Sequence, residues 1–348
     1  MSVPSWHFLH GLCIRSDIPL DPYGLAPAGL VADLVILRGA DREIPSRAPQ
    51  GTVIASAVRH DRPDQPFYTA VADDNGYLLR FHGCCEVRVL PRFDQAECHV
   101  QPGVDPALIA VFLSGITLAF FLGLRGHPIL HAAAVSAPGL DGELVAVAGG
   151  PGSGKSTLTA LLCAAGCNFV TDDLLRLDVH GRHTDAIGGC SELRLRPGAA
   201  HLLDAFDPVP PTTRVTVDGR LALLFPKRDP HSPRLRLVIL PWPSRVSDQV
   251  RLERVEPSEA LLLLARYPRL DGWTLPAVLS MQFDALSRLV GTTPVLVAQI
   301  PWDPAPTVTR AVELLRQLEE HRLIGSTSDT GEAPSSSWES PPSGMRPV

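Results

Sequence analysis

The chain reads as an α/β protein, with a phosphate-loop core of mixed sheet and flanking helices preceded by a smaller β-rich domain. Three observations predict this. A glycine-rich stretch at 149–154 lies between an apolar run and a helix-forming run. Short alternating runs broken by Gly and Pro fill residues 1–103, the pattern of strands and turns. Longer periodic segments follow residue 255, with a last apolar run among them. The expected division is 1–103, a β-rich domain; 104–325, the phosphate-loop domain; and 326–348, a Ser/Pro/Gly-rich disordered tail.

The central stretch is Gly149, Gly150, Pro151, Gly152, Ser153, Gly154, Lys155, Ser156 and Thr157. Gly149, Gly154, Lys155 and Ser156 match G-x-x-x-x-G-K-[ST] in register. Residues 143–148 read as a buried strand and 157–165 as a helix. That context separates a phosphate loop from a chance match. Glycines let successive backbone N–H groups curl around an anion, and the helix N-terminus adds positive charge. Lys155 can reach phosphate oxygens, and the Ser156 hydroxyl can ligate Mg²⁺.

The chain has 348 residues, 45% hydrophobic and 20% charged, with a formal net charge of −6. Its pI of about 6.0 argues against a basic nucleic-acid surface, and 6% aromatics offer no stacking platform. The seven cysteines (Cys13, Cys84, Cys85, Cys98, Cys163, Cys167 and Cys190) form no C-x-x-C pair. An odd count without a framework points to a reducing, cytoplasmic setting, and no signal peptide is expected. Residues 107–124 run 18 positions without a charge, the length of a membrane span. Polar and small residues interrupt them (Ser114, Gly115, Thr117, Gly123). They are read as a buried helix, and no membrane partner is expected.

In chain order, strands are expected over 30–37, 52–58, 67–72, 77–81 and 85–90. The Asp73-Asp74-Asn75-Gly76 turn signal makes a hairpin of the third and fourth. Residues 129–135 read as one short strand with a single polar residue, His131, which a neighbouring strand would bring near the loop. After the loop helix, a strand at 166–171 ends in Asp172 and Asp173. The short helix lets this strand lie close beside the first. Adjacent carboxylates point in different directions, so one can hold metal while the other meets an acceptor hydroxyl. Alternation puts Glu192, Arg194 and Arg196 on one face, either solvated or lining a phosphate site. Strands over 214–217, 221–225, 235–240 and 294–299, and helices over 256–265, 275–290 and 308–321, complete the chain.

His131, the 149–157 loop and Val170-Thr171-Asp172-Asp173 together resemble the HPr kinase/phosphorylase superfamily, which shares its core with the ATP-type phosphoenolpyruvate carboxykinases. Glu192-Leu193-Arg194 looks like the family's Glu-Ile-Arg segment, with Leu195 where a glycine follows there. Residues 11–20 and Leu130-His131-Ala132 are similar to stand-alone HPr-kinase-like proteins of biosynthetic clusters, including those that phosphorylate a serine of lasso-peptide precursors. The resemblance implies an ATP- and Mg²⁺-dependent serine kinase acting on a peptide or small protein. It implies Asp172 as general base, and Ser156 and Asp173 as metal ligands with Glu192. It implies Lys155 on the phosphates, His131 beside the acceptor, and Arg194 steadying transferred charge. The missing glycine favours kinase over phosphorylase and leaves a homo-oligomer open. A small-molecule kinase and a non-catalytic nucleotide-binding module are the competing readings.

Overall fold

The computed structural model describes residues 3–20, 25–26, 30–59, 62–138, 143–206, 211–226, 234–302, 305–321 and 323. The tail expected over 326–348 lies outside the described residues.

The N-terminal strands are β1 (Ser5–Leu9), β2 (Leu12–Ser16), β3 (Leu34–Arg38), β4 (Thr52–Val58), β5 (Pro66–Asp73), β6 (Gly76–Phe81), β7 (Cys85–Val89) and β8 (Gln95–Val100). They form one sheet in the order β1-β2-β3-β8-β7-β6-β5-β4. The β5–β6 hairpin closes where the turn signal stands, with Asp73 opposite Gly76. Gly76 has φ +111°, and a Cβ there would lie 2.4 Å from the Val89 carbonyl oxygen, so only glycine fits. The β1–β2 hairpin turns through His10 and Gly11, both at positive φ. A His-Gly turn carries little sequence signal, and the expectations omitted this hairpin and β8.

The apolar helix is α1 (Pro106–Phe112), a π-turn over Leu113–Thr117 and α2 (Leu118–Leu124). The Asp105 carboxylate caps it, accepting the Ala107 N–H at 2.8 Å. By length and composition it is the one helix among the described residues that could cross a membrane. Residues 118–123 are all buried, and the helix shares a core with the first sheet. Phe81 stacks on Phe112 with centroids 4.5 Å apart, and Phe120 on Trp273 at 5.4 Å. Phe120 is fully buried, so Phe120→Ala is expected to cost about 3–5 kcal/mol of unfolding free energy. Urea denaturation checks this, and a loss below about 1 kcal/mol would put the ring outside the core.

The rest of the chain carries β9 (Ile129–Leu130), β10 (Ala132–Ser136), β11 (Leu144–Ala148), α3 (Lys155–Ala164), β12 (Asn168–Thr171), β13 (Leu175–His180), β14 (His183–Ile187) and β15 (Glu192–Leu195). A 3₁₀ helix (Pro197–Ala205) follows, then β16 (Thr212–Val215), β17 (Leu221–Leu224), β18 (Leu235–Ser244), β19 (Arg251–Arg254), α4 (Pro257–Ala265), α5 (Pro276–Thr292), β20 (Val295–Pro301) and α6 (Val308–Glu320). The main sheet has the mixed order β12-β10-β11-β18-β20-β19, with β11, β18 and β20 parallel. β11 is buried throughout. Its Val145 and Val147 face a core shared with α3 and α6, and Leu144, Ala146 and Ala148 face one shared with α4 and α5. Helices on both faces explain why this strand reads as a continuous apolar run.

Two expectations need correction. The strand that ends at the aspartates, β12, does not lie beside β11, because β10 occupies the slot between them. The small residues Ala132, Ala133 and Ala134 let β10 fit there, paired antiparallel to both neighbours. The run 129–135 is also not one strand. It breaks at His131: β9 pairs with β13 in a small sheet, and β10 with β11 and β12 in the main one.

Candidate active site

The 149–154 loop leaves the buried end of β11 and enters α3. Gly149, Gly152 and Gly154 have φ of +143°, +85° and +90°. A Cβ on Gly154 would lie 2.8 Å from the Trp302 ring, so space as well as backbone angle demands glycine. A Cβ on Gly150 would lie 2.6 Å from the Tyr267 ring. Pro151 and Gly152 form the exposed rim, and Ser156 and Thr157, in the first turn of α3, are partly buried. Lys155 is buried, and its Nζ donates to the Gly149 and Gly150 carbonyls at 2.7 and 3.1 Å. Burial lowers its pKa, against the pull of Asp173 and Asp172. The Ser153 hydroxyl is buried with no hydrogen-bond partner. The loop thus holds a desolvated cation and a buried hydroxyl with no partner among the described residues.

Asp172 and Asp173 follow β12, as the sequence expects. Ser156 Oγ lies 3.4 and 3.5 Å from the two Asp172 oxygens, and the Arg194 N–H donates to Asp172 Oδ2 at 3.2 Å. Burial first, then the charge of Asp173, raises the Asp172 carboxyl to about 6. Asp173 sits at φ +72°, unusual for a residue with a side chain. Its carboxylate is paired on both oxygens: Oδ1 meets His131 Nε2 at 3.0 Å, and Oδ2 meets Arg269 Nη2 at 2.7 Å. Burial would raise its pKa, but Arg269 and His131 outweigh that and hold it well below the usual carboxylate range. The break between β9 and β10 is what aims His131 at this pair.

Glu192 is buried in a double clamp. Arg214 Nη2 and Nε bind its Oε2, the latter at 3.1 Å, and Arg194 Nε stands 3.3 Å from its Oε1. The three residues expected to share a metal therefore do not meet as a set. Ser156 faces Asp172, Asp173 is taken by His131 and Arg269, and Glu192 is taken by two arginines. Arg196 lies across the loop rim, its guanidinium about 4.0 Å from where a Gly152 Cβ would be.

No protein-family model matches this chain, and no curated protein matches it. Among solved structures, it is similar to the HPr(Ser) kinase/phosphatase from Coxiella burnetii. That match has 14% identity and a TM-score of 0.27, and covers 56% of this chain and 92% of the other.

Sequence reasoning missed four contributors. Arg269, with its Nε buried and unpartnered, comes from the segment after α4 and packs over Gly115, where the π-turn opens the helix. A lone arginine far along the chain has no local signal. Tyr267 and Trp302 wall the loop from the same side of the sequence. Cys190 Sγ accepts the Asp172 N–H at 3.0 Å and lies 3.5 Å from Thr171 Oγ1, fixing the backbone at the aspartate pair. The Gly188-Gly189-Cys190 run was visible, but its role needed the fold. Together, one raised carboxyl, one depressed carboxylate and several cations surround the glycine loop. Such a set can accept a proton and steady transferred negative charge.

Proposed function

We propose that this chain is an ATP-dependent kinase of the HPr-kinase-like type, moving the γ-phosphoryl group to a serine hydroxyl of a peptide or small protein. The observation that carries the reading is Asp172. It is a carboxyl raised to about 6, set against Ser156 at the first turn of the helix that leaves the glycine loop. A base working near neutral pH needs such a pKa. The buried Lys155 and the unpartnered Ser153 hydroxyl support nucleotide phosphates as the loop's ligand. The sequence resemblance supports a peptide serine, of the kind found in a lasso-peptide precursor, as acceptor. ATP and Mg²⁺ are the proposed reactants, in a cytoplasmic setting.

In this reading the backbone of 149–154, Lys155 and Thr157 hold the phosphates, and Arg196 covers the rim. Ser156 and the ionised Asp173 would offer hard oxygen donors of the kind Mg²⁺ takes, and the ion would neutralise charge on the phosphates. Asp172 takes the acceptor's proton. Arg269 and His131 keep Asp173 ionised. Arg194 holds Asp172 through its backbone N–H and is itself oriented by Glu192. Glu192 acts here as an arginine clamp, because both its oxygens are already paired.

The deciding experiment is intact mass of candidate acceptor peptides incubated with the protein and Mg-ATP. A gain of one phosphate on a serine is expected. Nucleotide binding without gain on any peptide, and ADP release that needs a small alcohol instead, would favour the small-molecule kinase. The pH dependence has a definite sign. Asp172 must be ionised to act, so kcat/KM rises with pH through about 6 and falls roughly tenfold per unit below it. A flat profile between pH 5 and 7 would remove Asp172 from the base role.

A further inference from the structure

The β13–β14 hairpin carries a second group of ligating side chains. His180 and His183 are register partners at its tip, and Asp178 and Asp185 are the next same-face pair. Four groups of metal-ligand chemistry thus share one face. They are not equivalent. Arg176 grips Asp178, with Nη2 at 3.1 Å from both carboxylate oxygens. Asp185 is instead flanked by imidazoles: its Oδ2 is 3.3 Å from His180 Nε2, and its Oδ1 is 3.8 Å from His183 Nε2. The two ring centroids are 5.0 Å apart with the rings tilted by 38°, and one ligand atom from each of the three residues falls within 4.8 Å of the others.

These separations can be compared with a metal site. Tetrahedral ligands at about 2.0–2.1 Å from an ion are about 3.3 Å apart. The His180–Asp185 separation is already there, and the His183–Asp185 separation, to the other carboxylate oxygen, is about half an ångström longer at a tip where both histidines are substantially exposed. Two imidazoles and one carboxylate suit borderline divalent ions of the first transition row, Zn²⁺, Co²⁺, Ni²⁺ or Cu²⁺, rather than Mg²⁺, which prefers oxygen. Three protein ligands leave room for water.

We propose that His180, His183 and Asp185 form a binding site for such a transition-metal ion, separate from the glycine loop. The hairpin leaves the Asp172–Asp173 pair and returns to Gly188-Gly189-Cys190. A bound ion ties the outgoing strand to the returning one. The site does not depend on the kinase reading.

The test uses the full chain without nucleotide. Isothermal titration with Zn²⁺ is expected to give one ion per chain at micromolar concentration, and Co²⁺ is expected to give the visible bands of a four-coordinate site without a thiolate charge-transfer band. His180→Gln, His183→Gln and Asp185→Asn should each weaken Zn²⁺ binding at least about tenfold, while His99→Gln leaves it unchanged. These side chains are at a hairpin tip, and circular dichroism verifies that each variant stays folded. Equal affinity in the His180→Gln/His183→Gln double variant overturns the proposal, as do a cobalt–thiolate band or the absence of any binding at millimolar ion.

Discussion

Asp172→Asn is expected to leave nucleotide affinity within about threefold of the parent and to reduce phosphoryl transfer by about 10²–10⁴, the usual worth of a positioned base. The asparagine keeps an oxygen for the Arg194 N–H and nearly the same volume, so the loop and α3 are not disturbed. It loses only the ability to take a proton. It also removes one of two adjacent negative charges, the second cause of the raised Asp172 pKa, so the variant should be no less stable than the parent. The pair of measurements is nucleotide titration and single-turnover transfer. Transfer within threefold of the parent would end the base assignment. Loss of nucleotide affinity with transfer lost in proportion would make Asp172 a metal or phosphate ligand. Asp173→Asn is the useful contrast. It strips the shared anion from His131 and Arg269, leaving the Arg269 guanidinium without that counter-charge near Lys155. Its first effect belongs to the electrostatics of the loop.

The sequence carried the loop and the aspartates because both are local. Glycines at 149, 152 and 154 must tolerate positive φ, and a strand followed by Asp-Asp is a contiguous pattern. The strands at 52–58, 67–72 and 77–81 were legible for the same reason: alternation and an Asn-Gly turn are written in adjacent residues. What was hidden is long-range. Nothing in residues 129–135 says that the strand breaks at His131, because the break exists only when β13 claims Ile129 and Leu130 while β11 and β12 claim the rest. Arg269 is 96 positions from Asp173 and enters through a π-turn in another helix. The alternation of Glu192 and Arg194 on β15 is legible in adjacent residues, with Arg196 just past the strand, but the closure of Arg214 from β16 on Glu192 is not.

Lys155→Met separates stability from function more sharply than any other substitution here. In the absence of nucleotide, Lys155 is a buried ammonium whose hydrogen bonds, among the described residues, go to two backbone carbonyls. Desolvation is the largest influence on it and opposes its charge; Asp173 and Asp172 offset this in part, and Arg269 and Arg196 add repulsion. A desolvated cation with only part of its cost offset gains from a phosphate beside it. Methionine fills the same space without the charge, at the cost of two carbonyl hydrogen bonds worth about 1 kcal/mol each. The unfolding midpoint of the nucleotide-free protein should therefore hold level or rise. Nucleotide affinity should fall by about 10² or more, since a buried, charge-assisted contact to phosphate is lost. Phosphoryl transfer should fall further, because the same ammonium steadies charge as it moves. Thermal unfolding with and without ATP reads both terms in one experiment: the parent gains stability on adding ATP, and the variant does not. If Lys155→Met instead unfolds several degrees earlier without nucleotide, the lysine is a strut holding the Gly149 and Gly150 carbonyls, and the loop is a structural turn rather than a phosphate cradle.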